Sequence, residues 1–137
     1  MNKSSIGHLQ INIDAKNVGF YKELFSFLGW SMLFDDPSTL GVGCEQGSSL
    51  WFVGGARDVK NDYDGPGMNH LGIAVSTQSD VDLVVAFLQE HGVKALFETP
   101  RHRPDFSSGP DKTYYQVMFE SPDRILFEVV YTGLISK

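Results

Sequence analysis

His8, His70 and Glu128 are the side chains best suited to shared chemistry. His8 lies in Gly7-His8-Leu9-Gln10-Ile11-Asn12-Ile13. His70 lies 62 positions later in Asn69-His70-Leu71-Gly72-Ile73-Ala74-Val75, at the same point of a similar run. Glu128 interrupts the apolar stretch Ile125-Leu126-Phe127-Glu128-Val129-Val130. A carboxylate among such neighbours needs something to compensate its charge. Two neutral imidazoles and one carboxylate would hold a divalent cation and leave other coordination positions open to water or substrate. The donor types do not choose among Fe, Mn, Ni and Zn. The competing readings are an ion pair between Glu128 and an arginine such as Arg124, and two histidines that are ordinary solvent-facing strand residues.

Other residues could act beside this trio. Gln10 and Asn12 alternate onto the His8 face and could orient a substrate, or simply be solvated. Tyr114 and Tyr115 are adjacent, so only one faces a given side of a strand. A tyrosine hydroxyl on the site side could serve as a general acid, and Tyr115 is the slightly preferred candidate. Arg101, His102 and Arg103 form a local cationic patch. Arg101 and Arg103 could clamp a carboxylate or phosphate, although solvated loop charge explains the patch as well. Trp51 and Phe52 are either core aromatics or part of the lining of an apolar pocket. His91 falls at a helix C-terminus, where a cation favours the dipole, and is read as structural. Cys44 is read as a buried thiol.

The elements that would position these residues follow from hydrophobic periodicity. Residues 6–13 alternate, with Leu9, Ile11 and Ile13 on the core face, as do Leu71, Ile73 and Val75 in the second copy. Each copy continues into an amphipathic helix. The first is capped by Asp14 or Asn17, carries the stripe Phe20, Tyr21, Leu24, Phe25 and Leu28, and ends at Gly29. The second runs from Asp80 to His91, carries Val81, Val84, Val85 and Leu88, and stops at Gly92. Strands are expected near 30–34, 39–45 and 48–54, then at 93–98, 113–119 and 125–131. Pro100 to Asp111 reads as a loop. The chain is thus one domain of two modules, 5–54 and 68–132, joined by a linker over 55–67 with little to bury. Each module alone is of marginal size, and pairing them would bury a shared face.

Composition narrows the function classes. The 137 residues carry a net charge of −6, which disfavours nucleic acid and anionic membrane surfaces as partners. Apolar residues make up 42% of the chain, enough for a real interior, and 14 glycines and 6 prolines suit many short strands better than a helical bundle. The single cysteine forbids an intrachain disulfide, and the N-terminus lacks an apolar leader core, so a cytoplasmic location is expected.

In order along the chain stand His8, Asp14, Phe20-Tyr21 opening a helix to Leu28-Gly29, His70, the turn Ser121-Pro122-Asp123-Arg124, and Glu128. This series resembles the vicinal oxygen chelate superfamily of glyoxalase I, extradiol dioxygenases, fosfomycin-resistance enzymes and bleomycin-resistance proteins. The likeness spans residues 6 to 131. It implies an α+β fold of paired βαβββ modules whose curved mixed sheets surround a metal-containing cleft. It also implies His8, His70 and Glu128 as metal ligands, Glu128 being catalytic as well, and a homodimer. Two departures stand out. The fourth glyoxalase I ligand, a glutamate, falls within Ser49-Leu50-Trp51-Phe52-Val53, which has no carboxylate. Ser121 and Arg124 replace Asp and Gly in the Asp-Pro-Asp-Gly turn. The functional expectation is a metal-dependent lyase, isomerase or dioxygenase acting on a small oxygen-chelating molecule. The alternative is a non-catalytic sequestering protein of the bleomycin-resistance kind, its cleft lined by Trp51, Phe52, Tyr115 and Phe119.

Overall fold

The computed structural model describes residues 1–136. The chain divides into two compact units, Met1–Lys60 and a second that begins at Asn61. In the first unit β1 (His8–Asn12) is followed by α1 (Val18–Phe27), β2 (Ser31–Asp35), β3 (Thr39–Gly43) and β4 (Ser49–Val53). The second repeats the order with β5 (Leu71–Ala74), α2 (Gln78–Glu90), β6 (Ala95–His102), β7 (Lys112–Glu120) and β8 (Leu126–Leu134). The sheets are ordered β1-β4-β3-β2 and β5-β8-β7-β6. In each, the first strand pairs in parallel with the last and the other pairings are antiparallel. This is the expected α+β arrangement of two βαβββ modules.

Each helix covers one face of its own sheet. In the first unit Tyr21, Leu24 and Phe25 of α1 are fully buried, as are Leu40, Val42 and Phe52 of the sheet. Tyr21 stacks on Phe52 at 4.3 Å between ring centroids. Burial of one such aromatic contributes roughly 1.5–3 kcal/mol. In the second unit Val81, Val84, Phe87 and Leu88 of α2 are buried, together with Ile73, Val117, Phe119, Phe127 and Val129. Period-2 alternation then turns the intervening side chains of these strands, polar and apolar, to the other face of each sheet. The second helix starts at Gln78 rather than Asp80. Thr77 caps it, accepting from Asp80 N at 3.1 Å while the Asp80 carboxylate accepts from Thr77 N at 3.0 Å. Among the described residues no helix is long and apolar enough to cross a membrane.

Two segments differ from the expectation. The stretch 55–67 is not uniformly idle, because Tyr63 is buried and its hydroxyl donates to Glu120 Oε1 at 2.5 Å. Asn61 Nδ2 donates to the Arg124 carbonyl at 2.9 Å, so residues from 61 onward are tied to the β7–β8 turn. Further on, β6 does not end at Glu98. Its pairing with β7 skips from Leu96–Met118 to Arg101–Gln116, and the intervening residues bulge out, Phe97 and Glu98 with φ of 57° and 60°. Thr99 fills the gap, its hydroxyl donating to Leu96 O and accepting from Met118 N. Pro100 would break a continuous ladder, but a bulge accommodates it. Arg101 and His102 are therefore strand residues rather than loop residues.

Candidate functional site

Glu128 is only 5% exposed, the one buried carboxylate among the described residues. It points away from α2. Register places it between Met118 on β7 and Gly72 on β5. The Tyr114 hydroxyl donates to Oε1 at 2.7 Å, and the Gln116 amide donates to Oε2. Gly72 leaves the room this needs, since a Cβ there would stand 3.3 Å from Oε1. Arg103 reaches the same network through Nη1 and Gln116 Oε1 at 3.4 Å. Its guanidinium is bound to Asp105 at 2.9 Å and lies 4.4 Å from the Phe106 ring centre. The Asp105 carboxylate raises the Arg103 pKa, and Arg103 lowers that of Asp105. Burial, followed by the bond to Glu128, pushes the Tyr114 phenol up to about 12, so it keeps its proton at neutral pH.

Tyr114 therefore takes the place expected of Tyr115. Tyr115 faces α2, where its hydroxyl donates to Asp82 Oδ1 at 2.7 Å and its pKa, raised first by burial, stands at about 12. The pattern held a signal for this. Tyr115 shares parity with the apolar Val117 and Phe119, whereas Tyr114 shares parity with Gln116 and Glu120. Gln116 shares the Tyr114 face of β7 and marks the same spot. The expected alternative partner of Glu128, Arg124, instead pairs with Glu120 at 3.7 Å.

His70 immediately precedes β5, two positions before Gly72, so strand alternation assigns it to the Glu128 face. It is exposed, and its Nδ1 lies 2.8 Å from Asn69 Oδ1. Arg101 stands opposite Gln116 in the ladder, and its buried Nε has no hydrogen-bond partner among the described residues. Its nearest carboxylate is Glu98, at 3.7 Å.

In the first unit His8, Gln10 and Asn12 are exposed or part-exposed on β1, opposite Ser49, Trp51 and Val53 of β4. Gln10 Nε2 donates to Asn12 Oδ1 at 3.2 Å. Trp51 is on this open face. Its indole N–H donates to Ser49 Oγ at 3.0 Å, and the ring covers Gly41, where any Cβ would collide with it. Phe52 is on the opposite face, wholly within the α1 core. Phe119 is likewise fully buried and stacks on Phe127. Of the four residues expected to line an apolar cleft, Phe52 and Phe119 are core, Tyr115 faces α2, and Trp51 alone stays on an open sheet face.

Solved structures share this arrangement. A candidate glyoxalase from Bacillus halodurans superposes with a TM-score of 0.75 at 25% identity, over 92% of this chain and 94% of that one. A glyoxalase/bleomycin resistance protein from Albidiferax ferrireducens gives 0.72 at 17% identity, over 93% and 99%. A glyoxalase/bleomycin resistance protein/dioxygenase from Alicyclobacillus acidocaldarius gives 0.62 at 18% identity, over 95% and 92%. The fold is that of the vicinal oxygen chelate superfamily. No protein-family model and no curated protein sequence matches the chain, so the likeness is carried by structure.

Members of the superfamily are generally metal-dependent, which makes the fit of these donors a question for the site itself. A carboxylate offers about four lone-pair positions, and the two bonds to Glu128 leave acceptor capacity on each oxygen. Ligating carboxylates are themselves commonly hydrogen-bonded, as Glu128 is. The donor chemistry of Glu128 and His70 fits a divalent cation. Among the described residues, no group of three or more His, Cys, Asp or Glu side chains is gathered closely enough to hold an ion. His8 belongs to the first unit, His70 and Glu128 to the second.

The turn before β8 is closed by its own backbone and side-chain bonds. Arg124 takes φ of 58°, the left-handed conformation a glycine adopts freely. Ser121 Oγ accepts from Ile125 N at 3.1 Å, and Arg124 N donates to Ser121 O at 2.9 Å. The strand carrying Glu128 thus leaves a closed turn at a defined register.

Proposed function

We propose that this protein is a divalent-metal-dependent enzyme of the glyoxalase/dioxygenase type, acting on a small molecule with adjacent oxygens. His8, His70 and Glu128 would hold the ion, whether Fe, Mn, Ni or Zn. The observation that carries the proposal is Glu128: a buried carboxylate in an apolar strand, held at both oxygens by neutral donors, beside a glycine that clears its approach. A buried carboxylate needs compensation for its charge, and a cation beside these two donors would supply it.

When bound, the ion would supply Lewis acidity toward the substrate oxygens. The chain's own residues do the rest. Tyr114 and Gln116 fix the carboxylate plane of Glu128. Tyr114 holds its proton on the phenol oxygen across the neutral range, so it serves as a donor and not as a base. Arg101, with an unused N–H, and Arg103 supply positive charge at the β6 edge and would attract an anionic end of the substrate. Gln10 and Asn12 would orient it through amide contacts. Homodimer formation belongs to the same proposal.

The test is metal analysis of the purified protein, followed by chelation and reloading. Glu128→Gln keeps the shape and loses the charge, so it should lose most bound metal while staying folded. His8→Ala and His70→Ala should each weaken binding. Unchanged metal retention in Glu128→Gln would refute its role as a ligand. Trp51 supports a second reading, a sequestering protein. Its indole is on an open face over Gly41, a surface suited to stacking a flat ligand. A protein that takes up no divalent ion but binds aromatic ligands with quenching of Trp51 fluorescence would favour that reading.

A further inference from the structure

We propose that Asn69 is a positioning residue that sets which nitrogen of His70 carries the proton, and so presents Nε2 as the bare donor. This rests on the metal-binding reading above.

Two of the contacts of Asn69 fix its amide, and a third, from Nδ2 to Asp64 Oδ1 at 3.5 Å, agrees with them. Nδ2 donates to the Tyr63 carbonyl at 2.9 Å, and Oδ1 faces His70 Nδ1 at 2.8 Å. Reversing the amide would set Oδ1 against the Tyr63 oxygen, two acceptors with no proton between them. Oδ1 therefore faces the ring, and an acceptor at that distance requires a proton on Nδ1. A neutral imidazole carries one such proton, so the lone pair is on Nε2.

The anchor for this arrangement is itself held. Tyr63 is buried, its hydroxyl donates to Glu120 Oε1 at 2.5 Å, and the Arg124 guanidinium lies 5.3 Å from its ring centre. Asp62 closes the segment, accepting from Asp64 N at 3.1 Å and, through its carbonyl, from Gly65 N at 3.2 Å. The Tyr63 carbonyl is thus a fixed post from which Asn69 reaches His70. The first repeat has no counterpart, because the residue before His8 is Gly7. The two histidines, alike in sequence position, are supported differently.

The experiment reads the ring nitrogens of His70 by NMR in metal-free protein, in each variant at a pH where its own titration curve shows the ring neutral. Signals are assigned with His70→Gln. Wild type should show the proton on Nδ1. Asn69→Leu removes the acceptor and should move the population toward Nε2–H. Asn69→Asp keeps an acceptor for Nδ1–H but loses the donor to the Tyr63 carbonyl, so it should hold more Nδ1–H than Asn69→Leu and less than wild type. Zn(II) affinity, measured by competition with a chromophoric chelator, should fall about 10–100-fold in Asn69→Leu and much less in Asn69→Asp. An Nε2–H ring in wild type, or an Nδ1–H ring in Asn69→Leu, would overturn the proposal. So would equal losses of affinity in both variants with the ring pattern unchanged, since Asn69 would then merely brace the loop. If wild type binds no Zn(II), the metal reading fails, while the ring measurement still decides the role of Asn69.

Discussion

Tyr114→Phe removes one hydroxyl from the Glu128 network and leaves the ring in place. That hydroxyl donates to Glu128 Oε1 at 2.7 Å, and burial together with this bond holds its pKa at about 12. A rise of about two units corresponds to ~2.7 kcal/mol between protonation states. The ring is partly exposed and burial is the larger cause, so solvent screening discounts that figure. A hydrogen bond to a charged acceptor contributes about 1.5–3 kcal/mol, and the low end, about 1.5 kcal/mol, is the expected loss in the variant at neutral pH. In a chain of this size that lowers Tm by roughly 5 °C. The folded pKa is above the unfolded value. The stabilisation is therefore complete below the unfolded phenol pKa, near 10, and drains away as pH rises toward about 12. Urea denaturation of both proteins at neutral pH and across this alkaline window measures the difference. A variant as stable as wild type at neutral pH, or a difference that does not shrink on the alkaline side, would show that the phenol does not hold Glu128.

Two further changes probe the supports of the same carboxylate. Gly72→Ala adds a Cβ 3.3 Å from Glu128 Oε1, so the carboxylate must shift slightly against the bonds from Tyr114 and Gln116, at a cost of about 1 kcal/mol. Thermal unfolding and Zn(II) affinity both equal to wild type would show that the clearance is not needed. At the turn before β8, Arg124→Ala loses the Glu120 pair and the cation over Tyr63 but keeps the left-handed backbone, whereas Arg124→Gly also relieves it. The glycine variant should be the more stable of the two by about 1 kcal/mol, and equal stability by calorimetry would count against strain at this position.

Much of the fold was legible because its signals are local. Alternation in residues 8–12 and 71–74, helical stripes ending at Gly29 and Gly92, and the repeat itself depend on neighbours a few positions apart. The misreadings came where a distant partner decides. Thr99 satisfies backbone groups on two strands and lets β6 run past Pro100. Tyr63, in a stretch rich in turn residues, is buried and meets Glu120 and Arg124 from the far end of the unit's sequence. Tyr115 shares the parity of Val117 and Phe119, and that signal for the α2 side is already in the sequence.

Residue order alone determined the two βαβββ modules, the placement of a histidine at the head of each, and a carboxylate inside an apolar strand. These follow from periodicity and from the cost of burying charge. Tertiary structure decided what surrounds the carboxylate: Tyr114 and Gln116 as donors and Gly72 as the open neighbour. Hydrogen bonds depend on strand register and on segments brought together from far along the chain. Sequence spacing names the candidates for such bonds, and only packing selects among them.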